Sequence, residues 1–205
     1  EEFDGVAVYD QNVVAYLELL RLPYTGCNPR GLMISRDKAL TKKILAYHRV
    51  SSPAFGVFPM ARKVKRAESL EFPLIVKSLP EDASLGISQA SVVDTDSKLA
   101  ERVAFIHDSV GTAALVEQYI DGRELYVGVM GNRRLWVLPV WELRMDRLPE
   151  ESKAIATQRV KWSRKYQKKH RISWGEARLE PEVSVRVQAL AKRVYRLLGL
   201  SGYAR

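Results

Sequence analysis

Ala114-Leu115-Val116-Glu117-Gln118-Tyr119-Ile120-Asp121-Gly122-Arg123-Glu124-Leu125-Tyr126-Val127-Gly128-Val129-Met130 carries the densest structural signal in this chain. Two β-rich runs, 114–120 and 123–130, flank Asp121-Gly122, a dipeptide suited to a two-residue hairpin turn. That turn sets Tyr119 opposite Glu124 and Glu117 opposite Tyr126, all on one face. Val116, Leu125, Val127 and Val129 fall on the other, core-facing side. Two carboxylates on one hairpin face can accept hydrogen bonds from a ribose or an amine, and they equally suit a face that is simply hydrated.

Moving toward the N-terminus, the spacing predicts a helix over Asp96–Asp108 with Leu99, Val103, Ala104 and Ile106 on its buried face. Phe72–Leu79 reads as a buried strand; 80–83 interrupts it and Ser84–Val93 resumes with strand character. Ser51–Leu70 has no clear period and carries a basic knot, Arg62, Lys63, Lys65 and Arg66; it reads as a connection with one short strand. Ser35 is placed to cap a helix over Arg36–Tyr47, with Leu40, Ile44 and Leu45 as its stripe. Asn12–Leu20 is helical, and Leu22–Gly26 is extended into a turn. Toward the C-terminus, Gly131-Asn132 turns into a strand over Leu135–Leu143, which Pro139 pushes to an edge or a bulge. Pro181 and Gly199 bracket a last helix with a seam of Val183, Val187, Leu190, Val194 and Leu197. A new strand is expected to begin at Gly202-Tyr203-Ala204-Arg205.

Composition bounds the classes. With 205 residues there is room for one good core or two small ones. The 46% hydrophobic content excludes wholesale disorder. The one cysteine, Cys27, has no partner for an internal disulfide; it reads as a small buried residue in a reducing, cytoplasmic setting. Apolar runs such as Leu135–Trp141 are too short to cross a bilayer, so no membrane partner is expected. The opening Glu1-Glu2-Phe3-Asp4, acidic and without Met, reads as a window on something longer. Net charge is +9, from 33 Lys and Arg against 24 acids. Arg159–Arg171 (RVKWSRKYQKKHR) holds seven of those cations and no acid, leaving 26 against 24 elsewhere. A cationic stretch with Trp162, Tyr166 and His170 interleaved suits a phosphate-rich partner, nucleotide or nucleic acid, or else a solvated surface.

Four separated blocks together resemble the ATP-grasp ligases, and among them the D-alanine–D-alanine ligases most closely. Leu17–Gly26 is similar to the segment closing that family's N-terminal domain, and Arg36-Asp37-Lys38 to the start of its central domain. Phe72–Lys77 with Ser84-Leu85-Gly86-Ile87-Ser88 resembles the lysine strand and phosphate-covering loop. Leu115–Glu124 resembles the adenine-binding strand and the turn to a ribose-binding Glu. Lys165-Tyr166 and Gly202–Arg205 match later catalytic segments. The resemblance implies a mixed α/β (α+β) ATP-grasp fold, two subdomains sandwiching ATP. Its domains would be an N-terminal remnant at 1–35, a central subdomain at 36–120 and a shortened C-terminal one at 121–205.

The resemblance also implies site roles. Lys38, Lys77 and Lys165 would face the triphosphate, and Ser84 with the amides around Gly86 would cover it. Glu117 would meet the adenine amino group, backbone groups of Gln118 and Ile120 its edge, and Glu124 the ribose hydroxyls. Arg205 would stabilise an oxyanion and Tyr166 stand near the acceptor substrate. Independently of any family, a lone Lys77 inside an apolar strand needs an anionic partner. The implied reaction is amide formation through an acyl phosphate, with ATP and Mg²⁺ as cofactors. The family's metal ligands, an Asp, a Glu and an Asn, would lie beyond Arg205, so the chain alone is expected to be inactive.

Two departures shape the substrate expectation. Glu81-Asp82-Ala83-Ser84 stands where these ligases usually have Glu-Gly-Ser-Ser, adding a charge and removing a hydroxyl. Val160 and Trp162 stand where tyrosine is common. A carboxylate–amine ligase with an amino acid or peptide substrate other than D-alanine is therefore expected, in a form that allows a homodimer and uses no nucleic acid. The rivals are a nucleic-acid-binding module built on Arg159–Arg171 and a non-catalytic ATP-grasp relative. Placement of the basic stretch beside Lys77 favours the ligase; an open convex face favours nucleic acid.

Overall fold

The computed structural model describes residue 6 and residues 9–81, 84–149 and 151–205. Helices α1 (Asp10–Leu19), α2 (Pro29–Arg36) and α3 (Lys38–Tyr47) precede strands β1 (Phe55–Phe58), β2 (Leu74–Ser78) and β3 (Val92–Val93). Helix α4 (Asp96–Phe105) leads through one π-helical turn, Ile106–Val110, to β4 (Ala114–Gln118). Then come β5 (Glu124–Tyr126), β6 (Val129–Met130), β7 (Trp136–Val137) and β8 (Trp141–Arg144). Helices α5 (Gln158–Trp162) and α6 (Arg164–Lys169), strand β9 (Ser173–Glu176), helix α7 (Pro181–Leu197) and strand β10 (Tyr203–Ala204) complete the order. No helix among the described residues is long and apolar enough to cross a membrane.

Short polar side chains set most of the helix starts by accepting a backbone N–H that the helix itself leaves unpaired. Asn28 caps α2 through Gly31 N–H at 2.9 Å, and Thr95 caps α4 through Lys98 N–H at 3.3 Å. The helix expected over Arg36–Tyr47 forms as α3 but begins two residues later, Arg36 being the last residue of α2. Asp37, extended and accepting from Leu40 N–H at 2.9 Å, caps α3, so Ser35 is not the cap. The buried stripe of α3 shifts accordingly to Ala39 and Lys42, with Leu40 exposed.

The chain divides into two compact units, each assembled from separated segments. One comprises 1–50, 123–144 and 174–205; the other comprises 51–122 and 145–173. The boundaries expected at 35/36 and 120/121 are linear, whereas the units interleave along the chain.

In the second unit, a four-stranded antiparallel sheet runs β1-β4-β2-β3. Leu74, Val76, Ala114 and Val116 on one face are completely buried against Leu99, Val103 and Ile106 of α4 and its π-turn. Burial of each such leucine or valine contributes about 1.5–3 kcal/mol. The α4 stripe is Leu99, Arg102, Val103 and Ile106; Ala104, expected inside, is exposed. The expected strand over Ser84–Val93 is reduced to β3. Ser84 and Gly86 adopt positive φ (65° and 70°), which ends any extended run, and a 3-10 turn at Gln89–Ser91 follows.

The hairpin expected at Asp121-Gly122 does not form. β4 is a central strand whose two hydrogen-bonding edges are taken by β1 and β2, so no edge remains for β5. In the first unit β5 pairs with β8 instead, setting Tyr126 opposite Trp141 and Glu124 opposite Leu143. The two oppositions expected across the turn, Tyr119 with Glu124 and Glu117 with Tyr126, are thereby replaced. Pro139 splits the expected strand over Leu135–Leu143 into β7 and β8. β10 adds to β6, where Gly202 (φ 73°) is obligatory: a Cβ there would lie 1.8 Å from the Gly26 carbonyl oxygen. On α7, Tyr195 is buried while Val183 and Leu190 of the expected seam are exposed. Cys27 is half-buried rather than enclosed.

Candidate functional site

Strand alternation separates two kinds of side chain on the second unit's sheet. Opposite the apolar face lie Ile75, Lys77, Leu115 and Glu117, since partners across an antiparallel ladder share a face: Ile75 pairs with Glu117 and Lys77 with Leu115. Lys77 Nζ donates to Glu117 Oε1, a diagonal ion pair between neighbouring strands. The Glu117 side chain is 9% exposed and that of Lys77 26%. Glu117 is thus the anion that a lysine in this strand requires. The pair stands beside an apolar floor of Ile75, Tyr119 and Ile155, with Ile87 and Val92 packed against it. Burial, then the neighbouring Asp121 carboxylate, raises the Tyr119 phenol above its ordinary pKa.

Gln118 and Ile120 follow at the end of β4. The Gln118 N–H donates to the Ala54 carbonyl at 2.9 Å, leaving that donor already engaged, and Ile120 is exposed. Ser84 is buried and donates to the Ala156 carbonyl at 2.7 Å. Gln89 and Lys153 exchange hydrogen bonds: the Gln89 amide donates to the Lys153 carbonyl at 3.1 Å, and Lys153 N–H donates to Gln89 Oε1 at 2.9 Å. The 84–89 segment is therefore pinned to 153–156, immediately ahead of the basic helices α5 and α6. On α6, Lys165 is exposed and Tyr166 is half-buried, its ring 4.3 Å from that of His170. Asp82 and Ala83, which carry the altered phosphate-loop reading, lie outside the described residues, as do Glu1–Asp4.

Three expected site residues belong to the first unit. Lys38 is the first residue of α3 and is half-buried. Glu124 on β5 accepts a hydrogen bond from the Tyr126 hydroxyl. Burial, then this bond, raises the Tyr126 phenol well above its ordinary pKa, while the Arg205 guanidinium, 4.9 Å from the ring centroid, acts the other way. Trp174 lies 4.8 Å from the Tyr126 ring. Tyr126, Trp141, Trp174, Tyr203 and Arg205 line a cavity of about 780 Å³ with largely apolar walls. A larger one, about 960 Å³, is walled mainly by aliphatic residues of α1 and α7 such as Val13, Val187 and Val194. Tyr203 and Arg205 line both cavities, while Tyr126, Trp141 and Trp174 line the smaller one.

Next to this cluster, Arg123 grips Glu142 with both ends of its guanidinium, at 2.6 and 2.8 Å. The hydrogen bond from Arg123 holds the Glu142 carboxyl below the ordinary carboxylate range, and burial opposes it. This bidentate pair joins β5 to β8 and is structural.

The sequence reading missed Arg102, Gln89 and Lys153. For Arg102 a signal existed: it lies three residues after Leu99 and three or four before Phe105 and Ile106, on the stripe itself. The Gln89–Lys153 pairing spans 64 residues and has no local signature.

A purine nucleotide suits the second unit's donor set, a carboxylate and a lysine above an apolar floor. Magnesium is different. Among the described residues no group of three or more His, Cys, Asp or Glu side chains comes together, so its donors are not found there.

The sequence pattern of the family described as "D-ala D-ala ligase C-terminus" matches residues 43–205. A D-alanine--D-alanine ligase of Desulforudis audaxviator (strain MP104C) is 33% identical over 201 residues, covering 96% of this chain and 61% of that protein. One from Bordetella petrii is 31% identical over 198 residues, 96% of this chain and 56% of that protein. The chain thus spans less than two thirds of these relatives. Among solved structures, the D-alanine--D-alanine ligase from Bacillus anthracis complexed with ATP gives a TM-score of 0.71 at 23% identity, over 93% of this chain and 56% of that one. VanG D-Ala:D-Ser ligase from Enterococcus faecalis gives 0.70 at 24% identity, over 95% and 54%. The fold is that of these ATP-grasp neighbours, mixed α and β with antiparallel sheets.

Proposed function

Because the chain belongs to the D-ala D-ala ligase C-terminal family, we propose that it forms the nucleotide-binding part of an ATP-dependent carboxylate–amine ligase. In the proposed reaction a substrate carboxylate oxygen attacks the γ-phosphorus of ATP, the β–γ bridging bond breaks, and an acyl phosphate and ADP result. An amine then attacks the acyl carbon; its proton is lost, phosphate leaves, and an amide remains. Most of the work is positioning and neutralising charge.

The roles follow from side-chain chemistry. Glu117 accepts from the purine amino group, and Lys77, shared with Glu117, turns its charge to a phosphate oxygen. Ser84 and the amides near Gly86 cover the phosphates; Lys38 and Lys165 add positive charge. With the Gln118 N–H engaged, edge recognition falls to its carbonyl and to the backbone of Ile120. Glu124 accepts from ribose hydroxyls by sharing with Tyr126. Arg205 stabilises the oxyanion of the tetrahedral intermediate, and Tyr166 stands near the acceptor. Mg²⁺ is held by donors outside this set, and no step above is routed through it. The substrates proposed are amino acids or peptides, in the cytoplasm; the domain layout 1–35, 36–120 and 121–205 stays part of the proposal.

The carrying observation is the Lys77–Glu117 pair on the one charged face of an otherwise apolar sheet. The pinning of 84–89 to 153–156, at the root of the basic helices, supports the ligase over a nucleic-acid module. Titration calorimetry with ATP tests it. Saturable binding is expected, at least tenfold weaker in Lys77→Ala, or about 1.4 kcal/mol. Absence of ATP binding to the folded wild type would sink the reading.

A further inference from the structure

Arg102 is the anomaly of the second unit. It is 9% exposed and sits on the apolar stripe of α4 between Leu99 and Ile106. No carboxylate faces it in a described ion pair. Its guanidinium instead donates through Nη2 to the Gly86 carbonyl and, at 2.9 Å, to Ser91 Oγ. The plane lies over the Phe105 ring, 4.2 Å from the centroid, and Nε is buried without a hydrogen-bond partner. Burying a guanidinium with one donor unused is costly, and burial alone lowers its affinity for the proton. A leucine would fill such a helix position without that cost. The charge at this point therefore does something a hydrocarbon cannot.

Its acceptors identify what that is. Gly86 adopts φ 70° and packs so closely on the π-turn that a Cβ would lie 3.2 Å from Val110. Ser91 Oγ also accepts from Ser88 N–H at 3.0 Å, and Ser91 N–H donates back to the Ser88 carbonyl. One side chain thus holds both ends of the 86–91 segment: a carbonyl at the start and the hydroxyl that closes the turn at the finish. The Ile87 N–H of that same peptide donates to the Ser84 carbonyl at 3.0 Å, so the Arg102 anchor and this bond together fix the turn at 84–87. Gln89 and Ser84 hold the opposite side of the same segment on 153–156.

We propose that Arg102 is a positioning residue for the phosphate-covering segment: by anchoring the Gly86 carbonyl and Ser91 it holds the internally hydrogen-bonded turns of 84–91 in the shape that covers an anionic phosphate group, without touching the nucleotide itself. This rests on the reading of 84–88 as the phosphate cover. It predicts that Arg102 governs recognition of the phosphates and leaves recognition of the nucleoside alone.

The test compares ATP with adenosine, by calorimetry, on the full 205-residue chain as wild type, Arg102→Gln and Arg102→Lys. Wild type is expected to prefer ATP. In Arg102→Gln that preference is expected to fall about tenfold with adenosine affinity unchanged, and Arg102→Lys, whose ammonium reaches one acceptor, to fall in between. Amide hydrogen exchange supplies a second reading: the Ile87, Ser88 and Ser91 amides should exchange faster in Arg102→Gln while those of Leu99 and Val103 keep their protection. Should Arg102→Gln fold poorly, Ser91→Ala carries the same exchange prediction. An ATP preference undiminished in Arg102→Gln overturns the positioning role alone. Equal loss of ATP and adenosine makes Arg102 a general packing residue and also overturns it. A wild type that binds ATP no better than adenosine removes the phosphate-cover reading together with this proposal.

Discussion

The two faces of the β1-β4-β2-β3 sheet differ by one residue in register and in almost everything else. One presents Leu74, Val76 and Val116 to α4 and is completely dry. The other carries Lys77 and Glu117 among Ile75, Leu115 and Tyr119. The first face is tolerant of chemistry and intolerant of volume, because close packing sets its energy. The second packs buried Ile75, Leu115 and Tyr119 as well, and adds a demand of its own: removing one charge there leaves the other without its partner across the strands. Under the proposed function, structure and recognition would fall to alternate residues of the same strands.

The largest expected effect is on the dry side. Leu99→Ala should lower unfolding free energy by about 2–5 kcal/mol in urea denaturation, with ATP affinity of the folded fraction unchanged. Loss of ATP affinity at full stability would break the contrast. On the charged side, Lys77→Met leaves a buried carboxylate without its lysine and should cost about 1–3 kcal/mol. Glu117→Gln in that background should recover part of it, as a double-mutant cycle would measure. Additive losses would mean that the pair is not coupled.

The Glu142–Arg123 pair gives a smaller effect that depends on pH. Its carboxyl has a folded pKa below the unfolded value of about 4.3, so folding is favoured above that value. The contribution fades as pH falls through the lowered folded pKa. Melting temperature should therefore drop more steeply toward acid in wild type than in Glu142→Gln, and parallel curves would refute the assignment. The smallest change on stability is expected at the exposed Lys165: Lys165→Gln should stay within about 0.5 kcal/mol in the same urea assay, while weakening ATP several-fold.

Much of this was legible from local pattern. β-rich, largely apolar runs at Phe72–Leu79 and 114–120 located β2 and β4, and a lysine isolated in an apolar strand announced an anion nearby. The failures were failures of pairing. Asp121-Gly122 has hairpin chemistry, yet β4 had no edge to offer, and strand order is a property of distant segments. Ala104 and Arg102 were exchanged on α4 because hydropathy ranks alanine inside and arginine outside, while the Gly86 carbonyl reverses the order. Pairings such as Gln89 with Lys153 leave no trace in neighbouring residues.

The interleaving of the units bears on how this architecture can be divided. The chain passes from one unit to the other after Val50, Gly122, Arg144 and Ser173. A piece ending at Gly122 would retain the whole four-stranded sheet but deprive Ile75 and Tyr119 of Ile155, and Ser84 of the Ala156 carbonyl. Neither unit is a transplantable cassette: no single genetic crossover between relatives can exchange one unit whole and leave the other intact.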